Sequence, residues 1–189
     1  AKYGTRHKRL RALVLARMDL MGRLATLMSR PVNFMLSRRV VRYAMELLLG
    51  IYSGREFPRY SQGTFSRWFR KNVHDQEGFI RRVLFFHGCS VNNMDHGLGR
   101  DFIQVMNAFG TGVVIPPQKC CGVPAIANSE MGRAEKNARF NIDRLSSAGN
   151  GEKILLTCIS GAFALKHEYR SLLGLDNSAI YERVEYVTR

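Results

Sequence analysis

The apolar positions of the first fifty residues fall at steps of three and four. Leu10, Leu13, Val14, Leu20, Met21, Leu24, Leu27 and Met28 form one face of a helix. Arg6, Arg9, Arg23 and Arg30 border or oppose that face, and Arg17 falls on it. Pro31 disfavours helical backbone at Arg30, so the helix is expected to end there. A second helix is expected from about Phe34 to Leu49, with Leu36, Val40, Val41, Ala44, Leu47 and Leu48 apolar and Gly50 as its stop. Arginines interrupt both helices, and neither offers the ~20 mostly apolar residues of a bilayer span.

From Glu56 to Asn72 the period is lost. Phe57, Tyr60, Phe65, Trp68 and Phe69 alternate with Arg59, Arg67 and Arg70, and Pro58 and Gly63 argue against a long helix. The stretch reads as a connector whose aromatics pin it to a neighbouring core. Interleaved aromatics and arginines also suit base stacking. Lys71 to Gly78 reads as a linker.

Beyond it the pattern changes to short apolar runs alternating with helical stretches. Val83 to Phe86 reads as a buried strand. Leu98 to Phe109 follows as a helix stopped by Gly110. "TGVVIPP" is a second strand ended by Pro116 and Pro117. "SEMGRAEKNARFNIDRLSS" is a helix with Ser129 as cap. "EKILLTC" is a third strand, and "SGAFALKHEYRSLLG" a helix ending at Gly174. "DNSAIYERVEYVTR" reads as the start of a fourth helix, capped by Asp176 or Asn177. Strand and helix in strict alternation imply an α/β, Rossmann-like fold with a parallel sheet and right-handed crossovers.

Charge divides the chain at the same place. The net charge is +14, but residues 1–82 carry 18 Lys/Arg against 5 Asp/Glu, and residues 83–189 carry 11 against 10. Three parts are therefore expected: a basic amphipathic helical arm at 1–55, a connector at 56–80, and a globular α/β domain at 81–189. The arm suits an anionic membrane surface or a partner subunit. Its charge also suits phosphates, but no nucleic-acid motif accompanies it, and no nucleic-acid partner is expected. There is no signal peptide in the sequence, and four cysteines are too few for a disulfide scaffold, so a reducing cytosolic compartment fits. The chain lacks an initiator Met and is expected to be an internal piece of a longer protein.

The cysteines carry the chemistry. Cys89 lies just past the first strand, Cys120 and Cys121 just past the second, and Cys158 ends the third. All four fall at the carboxyl edge of the sheet, where such folds bind ligands. Soft thiolates there suit zinc, copper(I) or an iron–sulfur cluster. Structural zinc favours paired Cys-x2–4-Cys ligands, which are absent. A Cys120–Cys121 redox switch leaves Cys89 and Cys158 unused. A cluster uses all four. The spacing leaves open a cluster, buried structural thiols, and a redox pair. Gly88 and Gly122 would let backbone approach a bulky sulfide. His87 reads either as a further ligand or as a turn histidine bonding backbone. No paired carboxylates, Ser/His/Asp set or phosphate loop is present, so no catalytic residue is assigned.

Thirty residues separate Cys89 from Cys120-Cys121-Gly122, and 36 separate Cys121 from Cys158. This pattern resembles the cysteine-rich "CCG" domain family, found in heterodisulfide reductases and in electron-transfer subunits of membrane-associated dehydrogenases. "FFHGCSVNN", "LGRDFIQVMNAFGTGV", "CCGVPAIANS" and "FALKHEYRSLLG" look most like the C subunits of anaerobic glycerol-3-phosphate dehydrogenases. "FPRYSQGTFSRWFRK" resembles the stretch before the cysteine-rich domain of those subunits.

The resemblance implies an iron–sulfur cluster of 4Fe-4S type held by Cys89, Cys120, Cys121 and Cys158. It also implies electron flow from flavin-containing dehydrogenase subunits to the quinone pool, in a peripheral protein on the cytoplasmic face of the inner membrane. Residues 81–189 would be the first of two repeats. One departure stands out. The family ends on Cys-x-x-Cys, and here the last position is Gly161. The alternative is therefore a scaffold or membrane-anchoring domain with a degenerate metal site.

Overall fold

The computed structural model describes residues 5–149 and 151–187, and the side chains of residues 5–9, Arg6 and Arg9 among them, lie outside what it describes. Four strands, β1 Arg81–Phe85, β2 Thr111–Val114, β3 Ile154–Leu156 and β4 Val184–Tyr186, form one sheet in the order β2-β1-β3-β4. Every pairing is parallel. Val83 lies opposite Val113, Leu84 opposite Ile154, and Ile154 opposite Val184. The expected α/β fold with a parallel sheet is what forms.

Period-two alternation sends successive side chains to opposite faces. Phe85, Val113 and Leu155 point to one face, into a core with Phe65, Phe69, Phe102 and Ile103. The helices covering it are α5 (Phe65–Asn72), α6 (Gly88–Asn93) and α7 (His96–Ala108). Leu84, Phe86, Ile154, Leu156 and Val184 point to the other face. There they meet Leu145 of α9 (Met131–Ser147) and Leu165 of a π-helical turn, Ala164–Glu168. That turn lies between α10 (Ile159–Phe163) and α11 (Tyr169–Ser171). A one-turn helix, α8 (Val123–Ile126), joins β2 to α9, and another, α12 (Ser178–Tyr181), leads into β4.

Two of the aromatics between Glu56 and Asn72 are pinned in the neighbouring core. Thr64 caps α5 by accepting a bond from Arg67 N–H. Phe65 and Phe69 are buried, and Trp68 stacks on Phe65 at 5.7 Å beneath the Arg100 guanidinium. Those two phenylalanines are core residues rather than an open stacking platform.

Three boundaries differ from expectation. The first fifty residues form four helices, α1 Thr5–Ala16, α2 Met18–Leu27, α3 Ser29–Ser37 and α4 Arg39–Leu49. Pro31 does not stop a helix. It sits in the first turn of α3, where its missing N–H has no helical acceptor to lose, and the breaks fall at Arg17, Met28 and Arg38. Gly50 does end α4 in the left-handed conformation. Ser129 does not cap α9. It adopts φ +61° in the turn after α8, and Glu130 occupies the cap position. The segment after Gly174 gives only the four residues of α12 before β4. Asn177 stands at its cap position, but its side chain donates to the carbonyls of Leu165 and Lys166 at 2.6 and 2.9 Å. Asp176 accepts from Ser178 N–H. The open edge of β3 takes Val184–Tyr186 as a strand, a tertiary demand that outweighs local propensity. Thr188 and Arg189 of that segment lie outside the described residues.

The front helices also reverse the expected face. On α1 to α3 the buried residues are Ala16, Gly22, Ala25, Thr26 and Ser29, while Leu20, Met21, Leu24, Leu27 and Met28 are exposed. Small side chains let α1 pack against α8, and α2 against α6, at close range. A Cβ on Gly22 would sit 2.7 Å from Asn93 Nδ2. Ion pairing of Arg133 with Asp19 at 3.6 Å ties α2 to α9, and a bond from Gly63 N–H to Thr26 O ties it to the loop before α5.

Candidate iron–sulfur site

β1 and β2 each end in a turn that delivers a cysteine. After Phe85 the chain passes Phe86 and His87 and enters α6 at Gly88, which adopts φ +65°. Cys89 follows in the first turn of α6. After β2, Pro116 and Pro117 carry the chain out of the sheet to Cys120 and Cys121, and Gly122 turns it into α8 at φ +95°. Both glycines occupy a backbone region that a side chain would strain. The Gly122 N–H thereby reaches the Cys120 sulfur.

Two amides that sequence reasoning missed hold these turns. Gln118 Nε2 donates to Phe85 O at 3.1 Å and Pro116 O at 3.4 Å, while its Oε1 accepts from Gly88 N–H at 3.2 Å. It ties the end of β1 to the loop after β2. Asn141, fully buried on α9, accepts from Lys119 N–H at 2.8 Å. Its Nδ2 faces the carbonyls of Lys119 and Cys120 and the hydroxyl of Tyr169. A buried Asn in mid-helix was the available sequence signal, because such a side chain must find partners.

Cys89, Cys120 and Cys121 come together. The Cys89 thiol is pushed well up, first by its hydrogen bond with Cys120 and then by burial. Cys120 is pushed up to about 12, first by its hydrogen bond with Cys121. Both thiols keep their protons near neutrality, which makes them poor nucleophiles. Cys158 stands at the head of α10, half-buried, with its sulfur 3.5 Å from Ser160 Oγ. Gly161 lies beside it. A Cβ there would meet Leu156 Cδ2 at 3.3 Å and Cys158 Cβ at 3.9 Å. The last position of the motif therefore adjoins Cys158 but offers no thiol.

His87 is a turn histidine. Its Nδ1 donates to the Gly88 carbonyl at 2.7 Å, and its ring packs edge-on to Phe65. Burial, joined by the charge of Arg23, lowers it to about 4 and keeps it neutral.

Thiol donors suit an iron–sulfur group chemically. The cavity between Cys89, Cys120, His87 and Asp19 measures about 20 Å³. That is room for about one water, so holding a cluster means parting the thiols. Among the described residues, no three His, Cys, Asp or Glu side chains are arranged to hold a single metal ion.

Residues 83–166 match the family described as a cysteine-rich CCG domain. The chain is 40% identical over 192 residues to the C subunit of anaerobic glycerol-3-phosphate dehydrogenase from Escherichia coli strain K12. The match covers 100% of this chain and 48% of that protein. It is 34% identical over 90 residues to an uncharacterized iron–sulfur protein of Methanocaldococcus jannaschii, covering 47% of this chain and 18% of the other. An uncharacterized iron–sulfur protein of Methanococcus maripaludis is 32% identical over 106 residues, covering 54% and 21%. No solved structure matches the chain. The chain thus spans about half the length of the glycerol-3-phosphate dehydrogenase component it matches end to end. The spacing of Cys89, Cys120-Cys121-Gly122 and Cys158 on a parallel sheet, together with these likenesses, places residues 83–166 in the CCG cysteine-rich domain family.

Proposed function

We propose that this chain is part of an iron–sulfur electron-transfer subunit. One observation carries the reading: three thiols from two separate strand ends, Cys89, Cys120 and Cys121, meet at the carboxyl edge of the sheet. Cys158, at the end of the neighbouring strand, completes the donor set we assign. When bound, a 4Fe-4S-type group would accept and pass on single electrons. The chain's own part is to position and bury the donors. Gln118 and Asn141 fix the two turns, Gly88 and Gly122 shape them, and binding would release the protons that Cys89 and Cys120 now hold.

The likeness to a glycerol-3-phosphate dehydrogenase component supports a flavin-containing dehydrogenase as donor and the quinone pool as acceptor. We read residues 1–55 as a docking arm, 56–80 as a connector, and 81–189 as the first of two repeats. No helix among the described residues is long and apolar enough to cross a membrane. The outward Leu24, Leu27, Met28 and Val40, set among Arg17, Arg30, Arg38 and Arg39, support contact with an anionic inner-membrane surface on its cytoplasmic side.

A second reading has its own support. With Gly161 in the last motif position, the site has four thiols and the domain serves as a scaffold. Iron and acid-labile sulfide per chain, after anaerobic purification and reconstitution, separate the two. About four of each, lost in Cys120→Ser, is the expected result. A folded protein with no iron in either form would establish the scaffold reading.

A further inference from the structure

A second cavity, of about 510 Å³, lies outside the carboxyl ends of β1 and β2. Three cations line it, each from a different element: Arg23 of α2, Arg70 of α5 and Lys119 of the loop before the cysteine pair. Among the described residues no Asp or Glu lines this cavity, and none of the three cations is in an ion pair. At other points a cation does meet a carboxylate, as where Arg139 meets Glu135 at 2.7 Å. Like charges that converge on a concavity repel one another and focus a positive potential into it. No carboxylate among the lining residues offsets that repulsion.

Of the three cations, Lys119 is held in place. The Lys119 ammonium sits 4.4 Å from the centroid of the half-buried Phe140 ring. The Lys119 main chain is bonded on both sides by Asn141. Ser66 and Thr64 add hydroxyls to the rim, while Phe69, Ile115 and Phe140 supply an apolar wall. Cationic donors over an apolar wall are complementary to an oxyanion carried on a compact apolar body. Arg23, His87 and Lys119 line this cavity and the thiol cavity alike.

We propose that the groove binds an organic oxyanion, a carboxylate or phosphate, beside the thiol site. The proposal goes beyond the electron-transfer reading and does not require iron, so it is tested on the purified protein without reconstitution.

Titration calorimetry with inorganic phosphate, phenyl phosphate and benzoate at fixed ionic strength is the test. One saturable site per chain is expected, with phenyl phosphate about tenfold tighter than inorganic phosphate through ring burial. Tight phosphates with weak benzoate would assign a phosphate head, and the reverse a carboxylate. Arg70→Gln and Lys119→Gln should each weaken binding at least about tenfold. Arg67→Gln, an exposed cation of the same helix that does not line the groove, should change it less than about twofold. Binding that does not saturate, or that weakens equally in all three variants, would overturn the proposal and reduce the effect to overall positive charge.

Discussion

The sheet and the front helices bury opposite kinds of side chain. Around the sheet the buried residues are large: Leu84, Phe85, Phe86, Leu156 and Tyr169 are each 1% exposed or less. On α1 to α3 they are Ala16, Gly22, Ala25, Thr26 and Ser29, while Leu27 is 71% exposed and, on α4, Val40 is 80% exposed. Hydrophobic stabilisation scales with the apolar area removed from water. The sheet therefore holds most of the stability, and the front helices hold on by close approach and a few polar ties. Leu156→Ala should break this contrast most visibly. It removes a fully buried side chain between the sheet and α10, and should cost about 2–5 kcal/mol in chemical denaturation. A loss no larger than that of Leu27→Ala would mean the two regions are not distinct.

Asn141→Ala comes next. It leaves the Lys119 N–H and the Tyr169 hydroxyl without their partner, two groups that stand against the cysteine pair. About 3 kcal/mol is expected. Stability alone would not separate Asn141 from any other core residue, so the informative readout is alkylation of the folded protein. If Asn141 positions the turn, Cys120 and Cys121 become accessible under conditions where Leu156→Ala leaves them protected. Equal protection in both variants would reduce Asn141 to an ordinary packing residue.

Gly22→Ala probes the other side of the comparison. Alanine favours helix over glycine by about 1 kcal/mol, yet its Cβ would collide with the buried Asn93 side chain. A forced contact of this kind costs about 1–3 kcal/mol, so a net loss of roughly 1 kcal/mol is expected. It should appear first as faster proteolysis within α1–α4 rather than as global unfolding. A stabilised variant would show that α2 does not rest on α6.

What the sequence disclosed follows the same division. The alternation of apolar runs and helical stretches from residue 81 on made β1, β2, β3, α7 and α9 legible, because those elements bury large side chains at regular spacing. β4 was illegible: three residues carry too little pattern, and the open edge of β3 decides their state. On the front helices the pattern misled. Leucine and methionine spacing marked a face to be buried, but the buried stripe is made of Ala, Gly, Thr and Ser, which periodicity of large apolar residues does not register. The meeting of Cys89, Cys120 and Cys121 was legible from strand ends alone, while Cys158 has its sulfur against Ser160 instead. The supports of that meeting were not, since Gln118 and Asn141 act through contacts 22 to 33 residues away.

The smallest effect on stability should come from Leu27→Ser, and that smallness is what gives it force. Leu27 is largely solvated, so its removal forfeits little buried area, and a change within about 0.5 kcal/mol is expected. If the outward apolar stripe on α2 faces a lipid surface, the same substitution removes a side chain that would insert there, at roughly 0.8 kcal/mol per buried methylene. Flotation with vesicles containing anionic lipid should then show clearly weaker binding, while the melting temperature stays in place. Arg30→Gln on the flanking charge should weaken it further at low salt and less at high salt, because surface charge is screened. A variant that loses stability without losing vesicle binding would place Leu27 inside an intramolecular contact, and the front helices would join the sheet as part of one ordinary core.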